Sequence, residues 1–127
     1  MKVRECFLHA VSLLPEEADA REVWIAMNRK NAPWAAVLGE ADRLLGLLGA
    51  AELDGVLRLP EVFITAGELA AKEPASRRAL RIPPEAELGE AVLQLEAAGA
   101  DAALVEAEGR PPGVLELATA KKKLGGE

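Results

Sequence analysis

Apolar residues recur at helical spacing in two places along the chain. Ala20, Val23, Trp24 and Met27 mark one face of a first helix, and Leu88, Ala91, Val92 and Leu95 mark the same face of a second. Pro15 and a group of acids lead into the first helix, as suits a helix N-terminus. The first helix is expected to end near Asn31 and the second near Gly99, since both residues tolerate a left-handed C-terminal conformation. Short apolar runs follow each helix and predict strands at Ala35 to Leu38 and at Ala102 to Val105. Tight turns at Glu40 to Arg43 and Ala107 to Arg110 lead to second strands at Leu44 to Leu48 and Gly113 to Leu117. Short helices then begin near Ala50 and Ala118. Strands near Ala10 to Leu14 and Ala79 to Ile82 precede the two long helices. Between the units, "EVFIT" reads as a strand. "TAGE", Thr65 to Glu68, has capping-box spacing and predicts a short helix from Ala66 that ends before Pro74.

The two series are copies. Pro15 falls on Pro83, an offset of 68 residues, and the same offset sets Glu17 on Glu85, Glu22 on Glu90, Ile25 on Leu93, Met27 on Leu95 and Val37 on Val105. One extra residue near Ala41 lowers the offset to 67, which then sets Arg43 on Arg110 and Gly46 on Gly113. Scattered Ala and Leu matches arise by chance, but ordered Pro, Glu, Arg and Gly matches with a single gap mark an internal duplication. The stretch "RLLGLLGAAEL" from Arg43 therefore has a partner in "RPPGVLELATA" from Arg110.

Composition narrows the chemistry. Half of the 127 residues are apolar, mostly Ala, Leu and Val, so the core must rest on many small contacts rather than on aromatic rings. A net charge of −6 and the lack of a basic stripe with interleaved aromatics argue against nucleic-acid binding. Arg77-Arg78 and Lys121 to Lys123 read as short solvated clusters. Cys6 is the only cysteine, which excludes an internal disulfide and a cysteine-based zinc site. His9 is the only histidine, and no elbow-like motif surrounds Ser12 or Ser76, so a nucleophilic triad is not expected. Cys6 and His9 read as packing or surface residues. Without a signal peptide or a run of roughly 20 apolar residues, a soluble cytoplasmic protein without membrane insertion is expected.

A β-α-β-β-α unit present twice resembles the CBS domain, named after cystathionine β-synthase. The match is strongest over residues 80–120, where an apolar strand and proline, an acid-led helix, a small-apolar strand, an acidic "EGR" turn and a glycine with two apolar residues follow in order. "KVRECF" and "TAGELA" resemble the lead-ins of the two units. The resemblance implies an α+β fold in which two CBS-type repeats, residues 1–57 and 58–127 with its connecting segment, pack with pseudo-twofold symmetry into one compact module. It also implies two clefts. Such modules commonly bind AMP, ADP, ATP or S-adenosylmethionine, pass the signal to an enzyme or transporter, and pair through their helices. The expected partners are a second copy, in a homodimer, and a separate enzyme or transporter chain.

The family's ribose and phosphate site reads glycine, two apolar residues, Ser or Thr, two more residues, then Asp. Counted from Gly46, the hydroxyl position is Gly49 and the acid position Glu52. Counted from Gly113, they are Glu116 and Thr119. The first cleft therefore keeps an acid without the hydroxyl, and the second sets a carboxylate where phosphate would lie, a repulsive arrangement at close range. Gly46 and Gly113 also fit a close backbone approach or a strand bend, Glu52 a first-turn acid, and Thr119 a helix cap. Trp34, at the cleft mouth, is a candidate for stacking on adenine, whereas Trp24 lies on the inner helical face. Val37 and Val105 complete the candidate ligand-binding set. Ile25 and Leu93 point away from the apolar helical faces and are candidates for a dimer contact. Two functions follow as expectations: a regulatory module that senses an adenosine compound weakly, or a ligand-free module for dimerisation or docking.

Overall fold

A computed structural model describes residues 1–50, 53, 64–72 and 80–125. Glu52, Ser76, Arg77-Arg78 and most of the expected "EVFIT" strand lie outside the described residues. A short turn of 3₁₀ helix at Val3–Glu5 precedes β1 (His9–Pro15), α1 (Ala20–Lys30), β2 (Trp34–Leu38) and β3 (Leu44–Gly49). Next come α2 (Ala66–Lys72), β4 (Leu80–Arg81), α3 (Leu88–Ala98), β5 (Ala102–Val105), β6 (Gly113–Glu116) and α4 (Leu117–Leu124). The fold is mixed α+β. Helix α1 connects parallel strands β1 and β2, and β3 returns antiparallel to β2. Strands β4, β5 and β6 repeat that arrangement around α3. Two residue pairs, His9 with Val114 and Ala10 with Gly113, join β1 to β6 and complete the order β3-β2-β1-β6-β5-β4. Among the described residues no helix is long and apolar enough to cross a membrane.

The duplication read from the sequence is kept residue by residue. Val37 faces Gly46 in the first unit and Val105 faces Gly113 in the second. Ala35 faces Leu48 as Ala103 faces Leu115. Met27 and Leu95 are both fully enclosed, each beneath its own helix. The extra residue of the first unit is taken up between Val37 and Gly46, where the register of β2 and β3 shifts. The turn there holds two left-handed residues, Ala41 (φ 54°) and Asp42 (φ 59°), whereas the second unit places Gly109 (φ 77°) in its turn. Left-handed backbone costs an L-residue about 1–2 kcal/mol, part of which a glycine gives back through its freer unfolded chain. Ala41 is exposed. Ala41→Gly is therefore expected to stabilise the protein by roughly 0.5–1 kcal/mol, read as a higher urea midpoint at unchanged slope.

Helix ends follow the local chemistry. The Asp19 carboxylate accepts from the Glu22 amide at 2.9 Å and caps α1. Asn31 (φ 52°) and Gly99 (φ 67°) close α1 and α3 in the left-handed conformation. The next amides, of Ala32 and Ala100, return to the carbonyls of Met27 and Leu95 at 2.8 and 2.9 Å. The Thr65 hydroxyl accepts from the Glu68 amide at 3.2 Å, and Glu68 Oε2 accepts from the Thr65 amide at 3.4 Å. This is the reciprocal capping box that the spacing predicts for α2. Glu5 reaches back to the Lys2 amide in the same way at 3.0 Å.

The lead-ins are exchanged between the units. The amides of Val3 and Arg4 donate to the carbonyls of Ala86 and Pro84, in the second unit. The amides of Ala66 and Gly67 donate to those of Ala18 and Glu16, in the first. Isolated bridges repeat the exchange, Lys2 with Glu87 and Thr65 with Asp19. Val3 and Cys6 are buried in the core under α3, and Ile64, Ala66, Leu69 and Ala70 in the core under α1. A third cluster of Val11, Ala36, Leu47, Ala102, Leu104 and Val114 draws on both units, with Trp34 and Leu44 packed against it. The alanines in these strands permit close layers, which is how a chain so poor in aromatics builds its core.

Candidate functional site

The motif glycine of the second unit is placed by close approach. A Cβ on Gly113 would stand 2.8 Å from Leu8 Cβ and 3.4 Å from the His9 carbonyl oxygen. Its absence lets the start of β1 lie against β6, and this sets His9 beside Glu116. His9 Nε2 is 2.9 Å from Glu116 Oε2, within ion-pair range. The contact is poorly aligned for a hydrogen bond, so the enclosed Nε2 has no aligned acceptor. Phe7 meets the His9 ring edge-on, with centroids 4.8 Å apart. Glu116 of the second unit thus has an imidazole from the first unit against its carboxylate.

Cavities open on two sides of the start of α4. One, of about 360 Å³, is lined by Trp34, Asp101, Glu116, Leu117, Ala118 and Lys121. It joins Trp34 of the first unit to Glu116 of the second, two residues that the sequence singled out separately. Trp34 is half-buried, and Lys121 Nζ is held by Glu96 Oε2 at 2.7 Å. The other cavity, of about 290 Å³, is lined by Cys6, Phe7, Thr119, Lys122 and Lys123. Helix α4 starts at Leu117, one residue earlier than expected, after a non-capping Glu116. Thr119 is therefore within its first turn and is not its cap. The two cavities differ in charge: Asp101, Glu116 and Lys121 line the one at Trp34, and Lys122 and Lys123 line the one at Phe7.

The remaining candidates are placed as follows. Val37 and Val105 are enclosed in the cores beneath α1 and α3. Gly46 pairs with Val37, Gly49 pairs with Trp34, and Glu52 lies outside the described residues. Burial pushes the Cys6 thiol up from its ordinary pKa, against smaller downward pulls from the Phe7 backbone and Lys123. The Ser12 hydroxyl is buried and donates to the Ala26 carbonyl at 3.3 Å, turned toward α1.

Phe7, Asp101, Lys122 and Lys123 line the cavities without having been selected from the sequence as ligand contacts. Each is a single residue outside the motif positions. Repeat mapping offered one signal for Asp101: its partner in the first unit is Pro33, so the acid is peculiar to the second unit.

No family model matches the sequence, and no curated protein matches it. Solved structures do match. The CBS domain of the bacterial CNNM/CorC family Mg2+ transporter shares 17% identity with a TM-score of 0.68, over 100% of this chain and 76% of that one. A hemolysin-like CBS-domain protein of Oenococcus oeni shares 11% identity with a TM-score of 0.68, over 99% and 91%. A CBS domain pair solved with 5′-methylthioadenosine and S-adenosylmethionine shares 10% identity with a TM-score of 0.63, over 98% and 96%. At these identities the likeness is one of fold, and the fold of this chain is that of a tandem CBS-domain pair.

Proposed function

We propose that this chain is a regulatory CBS-pair module that senses a small adenosine-containing ligand weakly and acts on a separate partner protein. The observation that carries this reading is the pair of cavities at the join of the two units, one with an aromatic wall at Trp34 and one with an aromatic wall at Phe7. The adenosine ligands of a structure with the same fold support the ligand class. A regulatory rather than catalytic role is supported by the reactive groups themselves: the Cys6 thiol is pushed up by burial, and the Ser12 hydroxyl is engaged by Ala26.

Adenine nucleotides are expected to bind weakly. Neither cleft combines the motif hydroxyl with the ribose-binding Asp, and Glu116 opposes a phosphate in the second. The nucleotide that binds does so in the first cleft through Glu52, whose contact with a ribose diol is worth about 1.5–3 kcal/mol. Thermal shift and calorimetry with AMP, ADP, ATP and S-adenosylmethionine test this. The expected result is no micromolar ATP affinity, with Glu52→Ala lowering whatever nucleotide affinity is seen by tenfold or more, the equivalent of about 1.4 kcal/mol. Micromolar ATP binding that Glu52→Ala leaves unchanged would overturn the reading.

A second reading, a ligand-free module for dimerisation or docking, draws on the contact of His9 with the Glu116 carboxylate at 2.9 Å. Under either reading a homodimer is proposed. Ile25 and Leu93, equivalent in the repeat, are 49% and 67% exposed on α1 and α3.

A further inference from the structure

The charge around Trp34 narrows the ligand class. Asp101, Glu116 and Lys121 line its cavity, and the Lys121 ammonium is paired with Glu96 at 2.7 Å. Among the described lining residues, two carboxylates and an indole stand beside a lysine whose charge Glu96 offsets. A cavity of about 360 Å³ is of the size that holds small organic ligands. A phosphate placed there meets like charge at short range. An organic cation gains from both carboxylates and from the indole face, whose quadrupole attracts positive charge. The second cavity, with Lys122 and Lys123, has the opposite preference.

We infer that the cavity between Trp34 and Glu116 takes the cationic group of a small organic ligand, a sulfonium or an ammonium, and rejects phosphate esters. This rests on the reading of the chain as a ligand-sensing module and adds the charge class of the ligand and the residues that select it. Asp101 and Glu116 supply the charge, and Trp34 supplies the face on which the cation lies. His9 Nε2 lies 2.9 Å from the Glu116 carboxylate on the cavity wall.

The test is calorimetry on the full chain with four probes. These are S-adenosylmethionine, which carries a sulfonium and an ammonium; neutral 5′-methylthioadenosine; anionic AMP; and choline, a cation without adenosine. S-adenosylmethionine is expected to bind at least tenfold more tightly than 5′-methylthioadenosine, with AMP weakest. Glu116→Gln and Trp34→Leu should each abolish that preference. Circular dichroism identifies variants that fold, and Asp101→Asn, at an exposed position, gives an independent variant if either of the first two does not. Equal or tighter binding of 5′-methylthioadenosine or AMP would overturn the cation inference and leave the adenosine reading standing. Choline binding that Glu116→Gln weakens, with none of the adenosine probes bound, would keep the cation site and overturn the adenosine reading. No binding by either S-adenosylmethionine or choline would overturn the inference.

Discussion

Leu104→Ala is expected to destabilise the protein by about 2–5 kcal/mol, the range for deleting a buried leucine side chain. Leu104 is fully enclosed, pairs with Val114 on one side and Arg81 on the other, and belongs to the core shared by both units. The cost should fall toward the upper part of that range because the surroundings have little to move into the gap. Two members of the cluster, Ala36 and Ala102, are already small, and strands hold both of them. The repeat adds a second test. The residue equivalent to Leu104 in the first unit is Ala36, so the duplicated core is large on one side and small on the other. Ala36→Leu alone should overpack the layer at about 1–3 kcal/mol. With Leu104→Ala the two should cost less than their sum, because the volume lost on one side is returned on the other. Urea denaturation of the four proteins measures this. One cooperative transition is expected in each, since the core draws on both units. A Leu104→Ala cost below about 1 kcal/mol would mean that the two units do not share a packed core.

The elements legible in the sequence were those set by local chemistry. Asn31 and Gly99 marked helix ends because few other residues accept the left-handed conformation there, and Thr65 with Glu68 marked a helix start because its capping bonds span only three residues. The strands were found with ends shifted by about one residue, as at Trp34 and Gly49, since apolar runs do not fix the last paired residue. The exchange of lead-ins was not legible. Hydrogen bonds from Val3 to Ala86 and from Ala66 to Ala18 depend on how the units are placed, and periodicity reports only on which face of an element is apolar. The same holds for the site. Trp34 and Glu116 were each visible, one as an aromatic at a strand start and the other as a departure from a motif. Their shared cavity depends on the β1–β6 join, as does the contact of Glu116 with His9. That join is only two residue pairs long and has no local signature. Gly113 did carry a hint of it, since a glycine within a strand marks a close approach.

Wild-type protein is expected to be a dimer that the double substitution Ile25→Glu with Leu93→Glu converts to a folded monomer. The buried faces of α1 and α3 are Ala20, Val23 and Met27, and Leu88, Ala91, Val92 and Leu95. Ile25 and Leu93 lie on the opposite side of their helices and are 49% and 67% exposed. A single exposed apolar residue needs no explanation. Two at the same position of a duplicated unit present one apolar side chain on each long helix, and a twofold contact would use both from each chain. Fully burying such side chains is worth about 1.5–3 kcal/mol each, so four of them contribute roughly 6 kcal/mol or more, about four decades in Kd. Glutamate at these positions removes that contribution and sets carboxylates against each other across the axis. Stability of the isolated chain should change little, because neither side chain belongs to a core. Light scattering across a dilution series measures the association, and circular dichroism checks the fold. A wild-type protein that remains monomeric at high micromolar concentration would rule the contact out. A folded double variant that remains dimeric would place the interface elsewhere on the surface.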